Sequence, residues 1–341
     1  MILNRDYSVY TDDQMIALIE QYMHGSDHPD QIGYREQVKT REFADKGVFL
    51  ARLQNLAQLG NFTNKRILDV GCGFGWQAFA MSLWGNSVVG LDILPSMIEG
   101  MNESIASMKR KGVHFDLTAV AGDICSPSLE PSSFDAIYSN EAIEHVHDLQ
   151  AMFTRCAELL RPGGKIFLLN DSNVLNSKTR EETLEMWRLR EHSWDWVARL
   201  KKWRPVEHGN AKPFALMREQ IVRTANPNLN DEAVSNIVEN TAGLIKPQIV
   251  GISESYHAGM KFPEVGQYDR CRNPETGEYA ERLLDPYLLG SMLRRAGFRT
   301  QVRHCFRRFP LNLLNGVPFR PINKALFELR GAFVVVGELV G

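Results

Sequence analysis

The sequence predicts an α/β protein built on a mostly parallel, doubly wound sheet with helices on both faces. Between residues 65 and 170, short apolar runs alternate with amphipathic stretches of helical length, which is typical of strands joined by crossover helices. Glycine, acidic or polar residues directly follow these apolar runs. Ligands bind at the carboxyl ends of the strands in such sheets, so the same pattern predicts a ligand site.

Seven strands are expected, five between residues 65 and 170 and two between residues 285 and 341. Strands alternate with helices over most of residues 65–170, so the first five strands are expected to lie parallel. The expected strands are Ile67–Val70, Ser87–Asp92, Thr118–Ala121, Phe134–Ser139, Lys165–Leu169, Arg299–Cys305 and Ala332–Glu338.

Two other regions flank and interrupt the predicted sheet domain, which comprises residues 65–170 and 285–341. Residues 1–64 are expected to form an N-terminal helical segment, with one helix starting near Asp12 and another from about Arg41 to Leu59. Residues 171–284 lose the strand–helix alternation, so we expect a large helical insertion after the fifth strand.

The composition is that of an ordinary soluble globular chain, with 44% hydrophobic and 23% charged residues among 341. There are 39 basic and 41 acidic residues, a balance that argues against a general nucleic-acid binder. No apolar run approaches the roughly 20 residues of a membrane span, and the first residues lack a signal-peptide pattern. The five widely spread cysteines indicate neither disulfides nor a zinc knuckle. We therefore expect a cytoplasmic protein with no nucleic-acid partner, membrane segment or metal site.

A glycine-rich loop joins the first strand to its helix, with the sequence ILDVGCGFG at residues 67–75. Such a loop lets the backbone approach a ligand closely and presents N–H groups at the start of a helix. The dinucleotide fingerprint GxGxxG requires a glycine where this chain has Trp76, so the spacing here is GxGxG. Taken alone, the loop is also compatible with a tight turn.

Side chains at three further strand ends suit a nucleoside ligand. Asp92 closes the second strand, where a carboxylate can accept both hydroxyls of a ribose. Asp123 follows the third strand and can accept from an exocyclic adenine amine, while Asn140 and Glu141 follow the fourth. Together with the glycine loop, these residues predict one site at the carboxyl edge of the sheet.

These motifs resemble those of the class I S-adenosylmethionine-dependent methyltransferases. The resemblance rests on LDVGCGFG, GLD, AGDI, SNEAIEHV and LLRPGGKIFL, and it is greatest to the small-molecule group that includes the ubiquinone-type O-methyltransferases. It covers residues 65–170 and, more weakly, residues 285–341. It implies a Rossmann-like sheet, S-adenosylmethionine as cofactor, and methyl transfer to a small molecule. The expected acceptor group is a hydroxyl of a biosynthetic intermediate such as a sugar or an anionic metabolite.

The resemblance also implies a role for each matching residue. It puts Asp69 beside the methionine amine and Asp92 at the ribose hydroxyls, while Met97 is equally compatible with a core methionine that fills a gap. The other implied cofactor contacts are Gly71, Cys72, Gly73 and Gly75 in the loop, Ile93, Met97, Asp123 and Ile124 around the adenine, and Asn140 and Glu141 on the substrate side.

Two residues after the fourth strand are candidate catalytic groups. His145 can act as a general base on an acceptor hydroxyl, because imidazole titrates near neutral pH. Glu144 is the weaker candidate, since a carboxylate at this position can simply cap the following helix. Alternatively, the whole turn is structural, with the histidine bonded to backbone. A base is needed only if the acceptor is protonated at working pH, because in-line placement supplies most of the acceleration.

The insertion is expected to form a helical lid over the acceptor. Trp194, Trp196, Tyr256 and His257 are its candidate substrate-binding residues. The alternatives are an amphipathic helix packed on the sheet domain with its basic face in water, or a helix at a membrane surface.

Two other functions compete with methyl transfer. A nicotinamide-dependent oxidoreductase is disfavoured by Trp76, and a non-catalytic methyltransferase-like binding protein is disfavoured by the intact glycine loop and both acidic residues. A nucleic-acid methyltransferase is disfavoured because residues 139–142 read SNEA and not the Asn/Asp-Pro-Pro-aromatic pattern.

Overall fold

The structure of this chain is a computed structural model that describes residues 10–41, 63–126, 128–305, 323–329 and 331–340. Its N-terminal part contains helices α1 (Asp12–Met23) and α2 (Pro29–Arg41). Thr11 caps α1 by accepting from the backbone N–H of Gln14, as expected for a helix starting near Asp12. Helix α2 was not predicted from the sequence. The helix expected up to Leu59 lies outside the described residues, apart from its first residue.

Seven strands form one sheet, which confirms the predicted fold class. The strand order is β3-β2-β1-β4-β5-β7-β6, with the first five strands parallel and β7 antiparallel to both of its neighbours. The strands are β1 (Arg66–Val70), β2 (Ser87–Asp92), β3 (Asp116–Ala121), β4 (Phe134–Asn140), β5 (Leu160–Asn170), β6 (Phe298–His304) and β7 (Phe333–Leu339).

Helices cover both faces of the sheet and bury two separate hydrophobic cores. Helices α3 (Trp76–Leu83) and α4 (Pro95–Arg110) join α1 in one core around Phe79 and Met101. Helices α5 (Leu149–Leu159) and α11 (Pro286–Arg295) build the other, which contains Phe153, Met152 and Leu293. This layering leaves the carboxyl edge of the parallel strands free of core packing.

Five helices fill the chain between β5 and α11. They form two clusters of their own, one around Ile237 and Ile249 and one around Trp187 and Phe214. A short helix, α12 (Asn323–Leu329), precedes β7. The five helices are α6 (Ser177–His192), α7 (Trp194–Trp203), α8 (Phe214–Ala225), α9 (Asp231–Asn240) and α10 (Lys246–Ser255).

The segment after α7 packs directly on α2. The buried Asp30 carboxylate accepts from the backbone N–H groups of Val206 and Glu207 at 2.8 and 2.9 Å. Gly33 faces the Trp203 carbonyl so closely that a Cβ on this glycine would lie 1.6 Å from the oxygen. The insertion therefore touches the N-terminal helices as well as the sheet. Within the described residues, every helix is too short or too polar to cross a bilayer.

Candidate functional site

The glycine loop after β1 combines a packed back with an open front. Gly71, Gly73 and Gly75 have φ angles of 69°, 53° and 75°, which favour glycine. A Cβ on Gly71 would lie 2.2 Å from that of Ala142, whereas a Cβ on Gly73 would meet no atom within 4 Å. The open space at Gly73 is what close approach of a ligand to the backbone requires.

Aromatic residues from both N-terminal helices support the loop from behind. The Tyr22 hydroxyl donates to the Phe74 carbonyl at 3.0 Å, and its ring stacks on Phe79 at 4.4 Å. The Tyr34 ring of α2 lies 5.5 Å from the Phe74 ring. These contacts fix the loop without filling its front.

Asp69 is a buried carboxylate whose Oδ2 atom has no hydrogen-bond partner. Burial, followed by the charge of Asp92, raises the pKa of Asp69 to about 8. An uncompensated buried carboxylate is unfavourable, so this position suits a cationic ligand group such as an ammonium.

The Asp92 carboxylate is fixed at the end of β2. Its Oδ2 atom accepts from the Gly73 N–H at 2.9 Å, and its Oδ1 atom accepts from the Leu94 N–H at 3.0 Å. Burial raises the pKa of Asp92 although both N–H bonds oppose the rise. The carboxylate is thereby held beside the open front of the loop, with its remaining lone pairs available for hydroxyl donors.

The residues expected around an adenine fall into two groups. Ile93 is 47% exposed beside Asp92, an apolar surface that a flat apolar ring can cover. Met97 and Ile124 are buried, and Ile124 packs within the core that contains Leu91. The Oδ1 atom of Asp123 accepts from the Cys125 N–H at 2.9 Å.

The turn after β4 holds the two candidate catalytic side chains. Glu144 is buried and accepts from the Asn170 Nδ2 atom at 2.5 Å, and its Oε1 atom lies 3.9 Å from Nε2 of His145. The His145 Nδ1 atom lies 2.8 Å from the Tyr279 carbonyl oxygen. Because a carbonyl can only accept, Nδ1 carries the proton and Nε2 is the basic position of the neutral ring.

The pKa values of Glu144 and His145 are both raised, but for different reasons. Burial raises the pKa of Glu144 to about 7, although His145 and other groups oppose part of the rise. Burial lowers the pKa of His145, but the carboxylates of Glu144 and Glu281 outweigh it and raise the value above the ordinary one. Both groups can therefore exchange a proton near neutral pH.

The turn begins with two more predicted contacts, Asn140 at the end of β4 and Glu141 directly after it. Glu141 has a φ of 51°, unusual for a residue with a side chain, and its N–H donates to the Leu169 carbonyl at 3.0 Å. Strained backbone of this kind is common at binding sites.

The chain just before α11 contributes residues that the sequence analysis missed. Backbone N–H groups of Tyr279 and Arg282 donate to the carbonyls of His145 and Glu144, at 3.4 and 3.2 Å. Glu281 accepts from the Ser172 hydroxyl at 2.9 Å. Since these partners lie more than 100 residues apart in the chain, no local sequence signal marks them.

The insertion brings charge to the same edge of the sheet. Arg204 pairs with Glu207 at 2.8 Å, and its guanidinium lies 5.7 Å from the centroid of the Tyr34 ring. The positive charge of Arg204 lowers the pKa of both Asp92 and His145, although it is the smallest of the influences named for each. Arg204 is therefore electrostatically coupled to both the glycine-loop side and the β4 turn.

The predicted substrate residues do not share one location. Trp194 is 55% exposed, whereas Trp196 packs edge-on against Trp203 at 6.2 Å and has its indole Nε1 buried without a partner. Tyr256 packs in the cluster of α8, α9 and α10 and accepts from the Asn236 amide at 2.9 Å. His257 is exposed beside it. The structure therefore does not bring Tyr256 and His257 to the β4 turn.

A family of methyltransferase domains matches residues 68–168, which include the glycine loop and the strand ends described above. The ubiquinone biosynthesis O-methyltransferase of Xylella fastidiosa (strain M23) is 33% identical over 129 residues, covering 36% of this chain and 49% of that protein. The protein of the same description from Rhizobium etli is 40% identical over 114 residues, covering 33% and 43%. The chain thus spans about half the length of the curated relatives it matches, or slightly less.

A solved structure of an S-adenosylmethionine-dependent methyltransferase from Mesorhizobium loti also aligns with the chain. The TM-score is 0.44 at 18% identity, over 84% of this chain and 97% of the other.

Proposed function

Because residues 68–168 are a class I S-adenosylmethionine-dependent methyltransferase domain, we propose that the chain transfers a methyl group from this cofactor to a hydroxyl of a small, anionic acceptor. The observation that carries the proposal is the pairing of an unpartnered buried carboxylate, Asp69, with an open loop front at Gly73. The relatives that match this part of the chain are O-methyltransferases, which supports a hydroxyl acceptor.

The residues at the loop fit the cofactor by charge and by space. Asp69 would bind the methionine ammonium, which offsets the cost of its buried charge. Asp92 would accept from the ribose hydroxyls while Gly73 and Leu94 hold it in place. Ile93 would cover the adenine face, and Asp123 would accept from its amine. When bound, S-adenosylmethionine supplies a methyl group that is already activated on a positively charged sulfur.

The β4 turn would accept the proton of the acceptor hydroxyl. His145 presents its Nε2 atom while the Tyr279 carbonyl holds Nδ1, and Glu144 stabilises the imidazolium that results. Asn170 keeps the Glu144 carboxylate oriented toward the ring. The chain needs no further chemical group, since orientation of the two reactants supplies the larger part of the acceleration.

Two arginines of the insertion support an anionic acceptor. Arg190 has a buried Nη1 atom without a hydrogen-bond partner, and its guanidinium lies 5.2 Å from the centroid of the Phe214 ring. Arg204 pairs with Glu207, which also lies 3.3 Å from the His208 ring. Glu207 thus compensates the charge of Arg204, and a bound carboxylate or phosphate would compensate the buried charge of Arg190.

The test measures binding first and transfer second. Calorimetry should show binding of S-adenosylmethionine and no binding of NADH. Transfer from labelled cofactor is then compared within matched pairs of acceptors, glucuronate against glucose and 3,4-dihydroxybenzoate against 3,4-dihydroxybenzyl alcohol. We expect the anionic member to be methylated faster, and the Arg190→Gln variant to lose that preference. Arg188→Gln, an exposed arginine on the same helix, is the control. Equal rates within every pair would contradict an anionic acceptor.

A further inference from the structure

Three side chains at the carboxyl edge of the sheet form a cluster that the sequence analysis did not anticipate. Asp123 and Cys125 follow β3, and His147 follows the β4 turn. One ligand atom from each, a carboxylate oxygen, the Sγ atom and an imidazole nitrogen, lies within 4.8 Å of the other two. The 21 residues between Cys125 and His147 hide this cluster from any spacing motif.

The Asp123 carboxylate lies close to both of the other residues. The Cys125 N–H holds Oδ1 of Asp123 at 2.9 Å, and the other carboxylate oxygen, Oδ2, lies 3.9 Å from Nε2 of His147. Ligand atoms in a tetrahedral zinc site are about 3.3–3.8 Å apart, given bond lengths of about 2.0–2.3 Å. Small side-chain rotations would therefore bring the three atoms to coordination distance.

The chemistry of the three groups selects among metals. Calcium and magnesium prefer oxygen ligands alone, whereas a thiolate, an imidazole and a carboxylate together favour zinc. The side chains of His147 and Asp123 are 39% and 31% exposed, so an ion can reach them from solvent. Three protein ligands and solvent access also leave a fourth position open.

We propose that Asp123, Cys125 and His147 bind a zinc ion with a water molecule as the fourth ligand. Binding requires the thiolate, so the Cys125 thiol releases its proton to solvent as the Sγ–Zn bond forms. In the absence of metal that thiol donates to the Asp148 carbonyl at 3.4 Å.

Zinc and cofactor would compete for one carboxylate. This consequence rests on the proposed function, in which Asp123 accepts from the adenine amine. A zinc ion bound to Asp123 would occupy the carboxylate that accepts the hydrogen bond from the adenine amine. It would also add positive charge beside that amine. We therefore infer that zinc weakens S-adenosylmethionine binding and that removal of the zinc by a chelator restores it.

Cobalt(II) is the probe for the site, because it replaces zinc and reports a bound thiolate by its charge-transfer absorption. Untagged, full-length protein is treated with EDTA, dialysed and titrated with cobalt, then zinc is added to displace it. We expect one equivalent of cobalt to produce the charge-transfer band and zinc to remove it. The Cys125→Ser variant should lose the band, and His147→Ala should bind at least tenfold more weakly. His114→Ala, an exposed histidine outside the cluster, is the control.

The outcomes separate the metal site from the proposed function. A wild-type titration without the band, or an unchanged band in Cys125→Ser, would overturn the site. Calorimetry with S-adenosylmethionine is then run in EDTA and in zinc. A tenfold loss of affinity in zinc that disappears in Cys125→Ser supports the competition, and equal affinities overturn it. Absence of cofactor binding in EDTA contradicts the proposed function but leaves the cobalt result standing.

Discussion

The two sides of the candidate site satisfy their buried charges in opposite ways. On the β1–β2 side, Asp69 is buried with one oxygen unpartnered. On the β4 side, Glu144 is equally buried but bonds to Asn170, and His145 is held by the Tyr279 carbonyl. The first arrangement costs stability until a cation binds, whereas the second is complete without a ligand. Ligand affinity should therefore depend on the first side, and proton transfer should depend on the geometry of the second.

The largest effect is expected for Asp92→Ala, which removes the fixed acceptor on the first side. Loss of two charge-assisted hydrogen bonds to the ribose amounts to about 3 kcal/mol or more, so affinity for S-adenosylmethionine should fall over 100-fold. Calorimetry gives the affinity, and thermal denaturation checks the fold. Asp116→Ala, a carboxylate at the start of β3, should bind normally. Unchanged affinity in Asp92→Ala would remove the ribose assignment.

Asp69→Asn should raise the stability of the fold and weaken the binding of S-adenosylmethionine. The pKa of Asp69 is raised in the folded chain, so stability falls as pH rises from about 4 through about 8. The neutral amide avoids this loss, and we expect it to raise the free energy of unfolding by on the order of 4 kcal/mol at pH 7. Affinity for S-adenosylmethionine should nevertheless drop at least tenfold.

The same substitution has a pH signature. Wild-type affinity should rise between pH 6 and 8, because binding of the ammonium requires Asp69 to release its proton. Calorimetry in buffers of different ionisation enthalpy measures that release, and Asp69→Asn should abolish it. A wild-type chain that releases no proton at pH 7 would show that Asp69 does not meet the cation.

Glu281→Gln tests the second side through its pH profile. The Glu281 charge raises the pKa of both Glu144 and His145, so its removal should shift the acid limb of the rate profile to lower pH. We expect a shift on the order of half a unit with little change in cofactor affinity. Glu275→Gln, an exposed carboxylate nearby in the chain, is the control. An unmoved limb would mean that this pair does not govern the proton transfer.

The two tryptophans of α7 should give contrasting effects, and Trp194→Ala should give the smallest effect on stability of all these variants. Trp196 packs against Trp203, so Trp196→Ala should lower stability by about 2–3 kcal/mol. Trp194 is more than half exposed, so Trp194→Ala should change stability by less than about 0.5 kcal/mol. If Trp194 contacts the acceptor, its substitution raises the acceptor KM alone. Chemical denaturation measures the stability of each variant, and steady-state kinetics measures its acceptor KM.

The two sides of the candidate site also differ in how far the sequence predicts them. The glycine loop, Asp69 and Asp92 lie within 24 residues, and their order along alternating strands predicts both the sheet and its ligand edge. Glu281 lies near the end of the insertion and Arg190 lies in its first helix, and nothing near either residue in the chain indicates what it contacts. Helix α2 was missed because its buried face includes the polar residues Asp30 and Gln31, which break the apolar period of a helix.

The two hydrogen bonds from Val206 and Glu207 to Asp30 have a kinetic consequence. Helix α2 carries Tyr34 against the glycine loop, and the same helix is tied through Asp30 to the segment that carries Arg204. Lifting either element alone breaks both bonds, each of which contributes about 1.5–3 kcal/mol because the acceptor is charged. We expect α2 and the segment that carries Arg204 to move together. Under the proposed function, the demethylated cofactor and the methylated product would then leave during the same opening event.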